Sequence, residues 1–272
     1  AQRSFAHIPA SFVDRYERAL VVGLGTGTTL GTIATYPFKS IQVAEISPAI
    51  VEAAQTYFEK PNRDSLKDPR VELVMNDGRN VLLLTKQRYD LVTIELTSIW
   101  FAGAANLYSR DFYELCRARL TPTGVLQQWV QLHHIRRRDL AAVLRTLRRV
   151  FAHVGLFVSG RQGIVVASNR PLEVHAAHLR ELESRPGVAE TLGGLQLEQL
   201  LGRIMLSGEA LDRFIRDSEK DGGPIVSTDE NLYLEYATPK GNVMNYFKSY
   251  DRTVSMLKTY RPEGLLSHHL KR

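Results

Sequence analysis

The chain has 272 residues, of which 44% are hydrophobic and 24% charged, with a net charge of +6. That balance excludes a disordered or collagen-like chain, and a single cysteine, Cys116, excludes an internal disulfide framework and fits a reducing compartment. No run reaches the roughly 18 apolar residues of a membrane span, and the length suits one large domain or one domain with an extension.

Strand-like and helix-like runs alternate through the first two-thirds, the rhythm of a parallel α/β sheet. Ala19–Val22 reads as a short buried strand and Thr28–Tyr36 as the helix after it. Ile41–Ile46 is a second strand, followed by a helix over Ala49–Phe58 with Ser47 as its cap and Pro48 at its start. Val71–Met75 is a third strand, Val81–Thr85 a short helix and Tyr89–Ile94 a fourth strand. Arg110–Leu120 is helical and stops before Pro122 and Gly124. Val125–Leu132 is a fifth strand and Arg138–Phe151 a long helix. Val154–Ser159 and Gly163–Ala167 flank the turn Gly160-Arg161-Gln162 as a hairpin, which puts an antiparallel strand on the sheet edge. From Leu172 to about Lys220 helical runs dominate, followed by a loop from Asp221 and the segment Ile225–Pro239. The fold expected is a methyltransferase-like, Rossmann-like, mostly parallel sheet with an antiparallel edge hairpin and a mainly helical C-terminal extension. Its division would be 1–18, 19–171 and 172–272.

The strongest local signal is Gly23-Leu24-Gly25-Thr26-Gly27, which leaves a strand and opens a helix. Glycines there let the backbone turn tightly and approach a ligand. A dinucleotide site wants G-x-G-x-x-G, but the position for its third glycine is Thr28. The pattern is G-x-G-x-G, the spacing of S-adenosylmethionine-dependent enzymes. Glu45 ends the second strand about 20 residues on, where an acid can accept hydrogen bonds from ribose hydroxyls. Asp77, before Gly78, follows the third strand, where an acid suits the exocyclic amine of adenine or caps a helix. All three lie at the C-terminal ends of successive strands, where open α/β sheets bind ligands.

Further runs carry a resemblance to a family. Glu45-Ile46-Ser47-Pro48, Asn76-Asp77-Gly78-Arg79, Tyr89-Asp90-Leu91-Val92-Thr93-Ile94-Glu95 and Gly124-Val125-Leu126-Gln127-Gln128-Trp129 resemble segments of spermidine synthases. The most specific piece is Leu107-Tyr108-Ser109-Arg110-Asp111-Phe112-Tyr113, which ordinary methyltransferases do not usually carry. The resemblance covers about Ala19–Asn169. It implies transfer of the aminopropyl arm of decarboxylated S-adenosylmethionine to an amine, leaving methylthioadenosine. Gly23, Gly25, Gly27, Glu45, Ile46, Asp77, Gly78 and Glu95 would hold the donor. Glu95 would orient the donor amine and Tyr108 would wall the pocket.

Three departures bear on the chemistry. Ser98 stands where the family has the aspartate that accepts the amine proton, and Ser47 replaces another aspartate. Only Ala1–Arg18 precede the glycine loop, where relatives carry a small β-rich segment. The start at Ala1, not methionine, is read as processed or as a cut from a longer chain. Ser227–Ala237 is similar to a segment of spermidine-synthase-like domains often joined to membrane-spanning regions. Asp229 and Glu230 there are either replacement acids for the acceptor or a capped turn. His133 and His134 follow the fifth strand as a base or as structural side chains. No Cys or His spacing suggests a metal. The basic residues Arg136–Arg138, Arg145, Arg148 and Arg149 come with no nucleic-acid motif and read as a solvated face.

The expectation is therefore a transferase using S-adenosylmethionine or its decarboxylated form, most plainly an aminopropyl transferase acting on a small-molecule amine or other nucleophile. The alternatives are methyl transfer, yielding S-adenosylhomocysteine, an elimination or cyclisation of the donor, or a cofactor-binding module without turnover. A cytoplasmic setting, a homodimer and a membrane-domain neighbour in a longer chain are further expectations.

Overall fold

The computed structural model describes residues 2–95, 103–220, 222–237 and 245–272. Helix α1 (Gln2–Ala10) leads into β1 (Arg18–Val22), α2 (Thr28–Ile33), β2 (Ser40–Glu45), α3 (Pro48–Tyr57) and α4 (Glu59–Asn62). Next come β3 (Val71–Met75), α5 (Gly78–Leu84), β4 (Tyr89–Ile94), α6 (Arg110–Arg119), β5 (Leu120–Val130) and α7 (Arg137–Val150). The hairpin β6 (His153–Ser159) and β7 (Gln162–Ser168) follows, then the two-residue β8 (Val174–His175). Beyond it lie α8 (Ala176–Glu183), α9 (Pro186–Leu192), α10 (Leu197–Leu201), β9 (Ile204–Ser207), α11 (Gly208–Ser218), α12 (Tyr233–Ala237), α13 (Tyr246–Lys258) and β10 (Leu270–Lys271).

The main sheet has eight strands in the order β3-β2-β1-β4-β5-β7-β6-β9. Its first five strands are parallel. β7 runs antiparallel to β5 and to β6, and β9 runs antiparallel to β6. Strands covered on both faces read as continuous apolar runs, and β4 is buried at every position. Ser47 caps α3, its Oγ accepting from the Ile50 amide at 3.4 Å, and Pro48 takes the first turn, where no amide is needed.

The antiparallel hairpin expected at the edge is present, but it is not the outermost element. β9 lies beyond β6, inside the stretch read from sequence as helical, and β8 pairs with β10 in a second small sheet. The helix after the glycine loop ends at Ile33 rather than Tyr36, and β5 starts at Leu120 instead of Val125. The largest addition is α1, for which the sequence offered no element. Its residues from Ser4 to Ala10 are all buried, and the His7 Nδ1 lies 2.8 Å from the Tyr36 hydroxyl. No helix among the described residues is long and apolar enough to cross a membrane.

Candidate active site

Leaving β1 the chain builds the sheet outward through β2 and β3, then returns to add β4 on the other side of β1. Such a reversal opens a crevice at the C-terminal ends of the two central strands. Gly23 follows β1 and Glu95 follows β4, so both stand at that crevice. The Gly23 amide donates to the Ala44 carbonyl at 2.9 Å and the Glu95 amide to the Val22 carbonyl at 3.0 Å. Gly23, Gly25 and Gly27 all have positive φ, at 88°, 53° and 74°. A Cβ on Gly27 would meet Asn62 at 2.8 Å, whereas one on Gly25 would meet nothing within 4 Å. The middle glycine therefore faces open space where a ligand can approach the backbone.

Glu45 is buried and ties two loops together. Its Oε2 accepts from the Leu24 amide at 2.9 Å, and its Oε1 from the Ile46 and Ser47 amides at 2.9 Å each. A carboxylate has about four acceptor positions, so one remains for a hydroxyl. Ile46 is 70% exposed beside it, and Met75, opposite Glu45 in the register, is exposed too. These two leave apolar surface suited to a flat base.

Asp77 caps α5, its Oδ1 accepting from the Arg79 amide at 2.9 Å and the Asn80 amide at 3.1 Å. Among the described residues its Oδ2 accepts no bond, so capping leaves that oxygen for a ligand amine. Gly78 lies so close to β1 that a Cβ would fall 2.3 Å from Val22 Cγ1.

Glu95 is half-buried. Burial pushes its carboxyl up to about 7, against hydrogen bonds from Thr29 and Gln2 that hold it down. Gln2 also accepts from the Thr26 hydroxyl at 3.2 Å. Helix α1 thus reaches the glycine loop and the crevice acid together. Sequence reasoning missed Gln2, for which no local signal exists. It also missed Thr29, which the run Thr26-Gly27-Thr28-Thr29 could have suggested.

Ser98 lies outside the described residues. Tyr108 is fully buried, and its hydroxyl donates to the Trp129 carbonyl at 2.8 Å. That bond ties Tyr108 to the end of β5. Asp229 is ion-paired with Arg79 and accepts from the Ser109 hydroxyl at 2.6 Å, while Glu230 is exposed. His133 packs against Tyr246 with the rings tilted by 41° and their centroids 4.3 Å apart, and burial, reinforced by neighbouring His134, lowers its pKa to about 4. The His134 amide donates to Ser249 Oγ at 2.7 Å. Helix α13 therefore covers the end of β5. A cavity of about 520 Å³, lined by Arg148, Ser207, Arg213, Tyr260 and His269 among others, lies at the opposite sheet edge, where β6 begins.

A sequence model of the spermine/spermidine synthase domain matches residues 1–160. The chain belongs to the spermine/spermidine synthase family. Among curated relatives, polyamine aminopropyltransferase of Nitrosomonas europaea is 37% identical over 149 residues, covering 54% of this chain and 46% of that protein. Polyamine aminopropyltransferase 2 of Aquifex aeolicus is 29% identical over 185 residues, covering 65% and 38%. The chain thus spans less than half the length of these two relatives. Spermidine synthase from Thermotoga maritima superposes with a TM-score of 0.54 at 22% identity, covering 62% of this chain and 59% of that one. Human methyltransferase-like protein 13 superposes with a TM-score of 0.51 at 21% identity, covering 72% and 90%. Both likenesses establish the methyltransferase-like sheet of this family member. The family match extends to the start of the described chain, so it includes α1.

Proposed function

We propose that the crevice binds decarboxylated S-adenosylmethionine and that the chain transfers its aminopropyl arm to a small-molecule amine. The observation that carries this is Glu45, locked by three backbone amides with one acceptor position left, facing a glycine loop whose middle residue is open. Family membership and the names of the relatives, polyamine aminopropyltransferases, support it. Residues 19–171 would form the donor-binding unit and 172–272 its cover.

Bound there, the sulfonium supplies a carbon that takes the amine lone pair as the carbon–sulfur bond breaks, leaving methylthioadenosine. The chain's own residues do the rest. Glu45 receives one ribose hydroxyl on its remaining acceptor position and fixes the sugar. Asp77 receives the adenine amine on Oδ2 while Ile46 and Met75 flank the base. Glu95 receives the ammonium end of the arm, and that cation draws its carboxyl into the ionised form. Alignment of donor and acceptor supplies much of the rate in such a displacement, because the leaving group is already activated.

Calorimetric titration with decarboxylated S-adenosylmethionine, S-adenosylmethionine, methylthioadenosine and NAD tests the proposal. Tightest binding of the decarboxylated donor, followed by methylthioadenosine release only when an amine is present, is expected. Preference for the carboxylated donor moves the assignment to methyl transfer. Methylthioadenosine without an amine indicates elimination, and binding without turnover indicates a module. Binding of NAD alone defeats the adenosyl assignment.

A further inference from the structure

Arg79 and Asp229 belong to segments 150 positions apart, and five bonds converge on them. Arg79 Nη1 donates to Asp229 Oδ1 at 3.0 Å and to the Asn106 carbonyl at 3.3 Å, and its Nη2 engages Asp229 Oδ2. Ser109 Oγ donates to Asp229 Oδ1 at 2.6 Å, and the Asp229 amide donates to Asp111 Oδ2 at 3.1 Å. The same tail segment is fixed further back, where the Arg110 amide donates to the Ser227 carbonyl at 2.8 Å and the Ser227 amide to Thr146 Oγ1 at 3.0 Å.

Isolated surface pairs contribute little, but a two-pronged Arg–carboxylate pair inside a network is the exception. Arg79 is also the residue whose amide Asp77 caps at 2.9 Å. Its backbone is held by the candidate base-binding acid and its guanidinium by the C-terminal tail. The pair thereby connects the loop after β3, the segment after β4, the start of α6 and the tail. The Arg79 amide bonded to Asp77 Oδ1 is the link by which the pair reaches the crevice among the described residues.

We propose that Asp229 is a positioning residue which, through Arg79, fixes Asp77 and so sets the preference for a 6-aminopurine in the donor. The inference rests on the assignment of the crevice to an adenosyl donor.

The test compares the chain with its Asp229→Asn and Asp229→Glu variants by titration with 5′-methylthioadenosine and 5′-methylthioinosine, whose base carries oxygen in place of the amine. The unchanged chain should prefer the amine by about tenfold or more, the scale of one hydrogen bond to a charged group. In Asp229→Asn that ratio should fall to about threefold or less, and Asp229→Glu should restore part of it. Loss of both ligands in equal measure, with the ratio preserved, would show a merely structural role and overturn the proposal. Hydrogen exchange provides a readout that needs no ligand. The Arg79 and Asn80 amides should exchange faster in Asp229→Asn than in the unchanged chain, and equal rates would overturn it. Failure of the unchanged chain to bind either ligand would defeat the adenosyl assignment, while the exchange rates would still decide whether Asp229 fixes Asp77.

Discussion

A Cβ placed on Gly23 would lie 2.5 Å from the carbonyl oxygen of Glu95, closer than real side chains come. The first glycine of the loop therefore sets how near the ends of β1 and β4 can stand. Gly23→Ala has two penalties, a φ of 88° that L side chains resist and a contact with backbone that cannot rotate away. Thermal melting should show a loss of about 2–3 kcal/mol. Titration should show weaker binding of the decarboxylated donor, because Glu95 is displaced. Gly25→Ala, with open space at its Cβ, should lose ligand affinity with a smaller loss of stability.

Glu45 holds the Leu24, Ile46 and Ser47 amides on its two oxygens. Glu45→Gln replaces one acceptor oxygen by a donor that faces an amide hydrogen. Denaturant unfolding should register a loss of about 1–3 kcal/mol. Affinity for methylthioadenosine should drop at least about tenfold. If binding survives unchanged, Glu45 does not face the ribose.

Glu95 has a carboxyl raised to about 7 from an ordinary 4.5. Because the folded pKa is the higher one, its contribution to stability is complete below 4.5 and is lost as pH rises through about 7. A cationic ligand reverses that preference by favouring the carboxylate. Binding of decarboxylated S-adenosylmethionine should release close to one proton at pH 6 and almost none at pH 8.5, with affinity rising between them. Calorimetry in buffers of different ionisation heats measures the release. Glu95→Gln should abolish it.

His7 shows the opposite sign. Burial lowers its pKa from 6.5 to about 4, opposed by the Thr191 backbone and helped by the charge of Arg3, while the Tyr36 hydroxyl lies at its Nδ1. The folded pKa is the lower one, so stability is present above 6.5 and is lost as pH falls through about 4. The full change is about 3 kcal/mol, from about 1.4 kcal/mol per pKa unit. Melting temperatures of the unchanged chain should decline across that window. His7→Phe should be less stable at pH 8, where Tyr36 loses its partner, but its acid decline should be shallower.

The first four parallel strands and the turns that end them were legible because they are carried by short local patterns. The run Ala19–Val22 is continuously apolar and Tyr89–Ile94 is interrupted only by Asp90 and Thr93, while the glycine spacing follows the first strand and Glu45 and Asp77 stand at the ends of the next two. Helix α1 was not legible for a physical reason: from Ser4 to Ala10 it is buried on every side, so no amphipathic period marks it, and Pro9 reads as a stop. Strand β9 has four residues between helical runs, too few to display a period of two. The pair Arg79–Asp229 depends on a contact across 150 positions, which no local pattern carries. The similarity of the Ser227–Ala237 segment to related domains marked the place without revealing its geometry.

Strand β9 brings the C-terminal part into the hydrogen-bonding of the sheet. Gly155, Leu156 and Phe157 of β6 are in register with Ser207, Leu206 and Ile204. A fragment ending after β7 would retain the glycine loop and every donor-contacting candidate. It would also present the apolar flank of β6, with its unpaired amides and carbonyls, as a template for another chain. The later third of the protein thus covers a flank that would otherwise stick to its like, and a fragment made without it should clump before any catalytic defect could be measured.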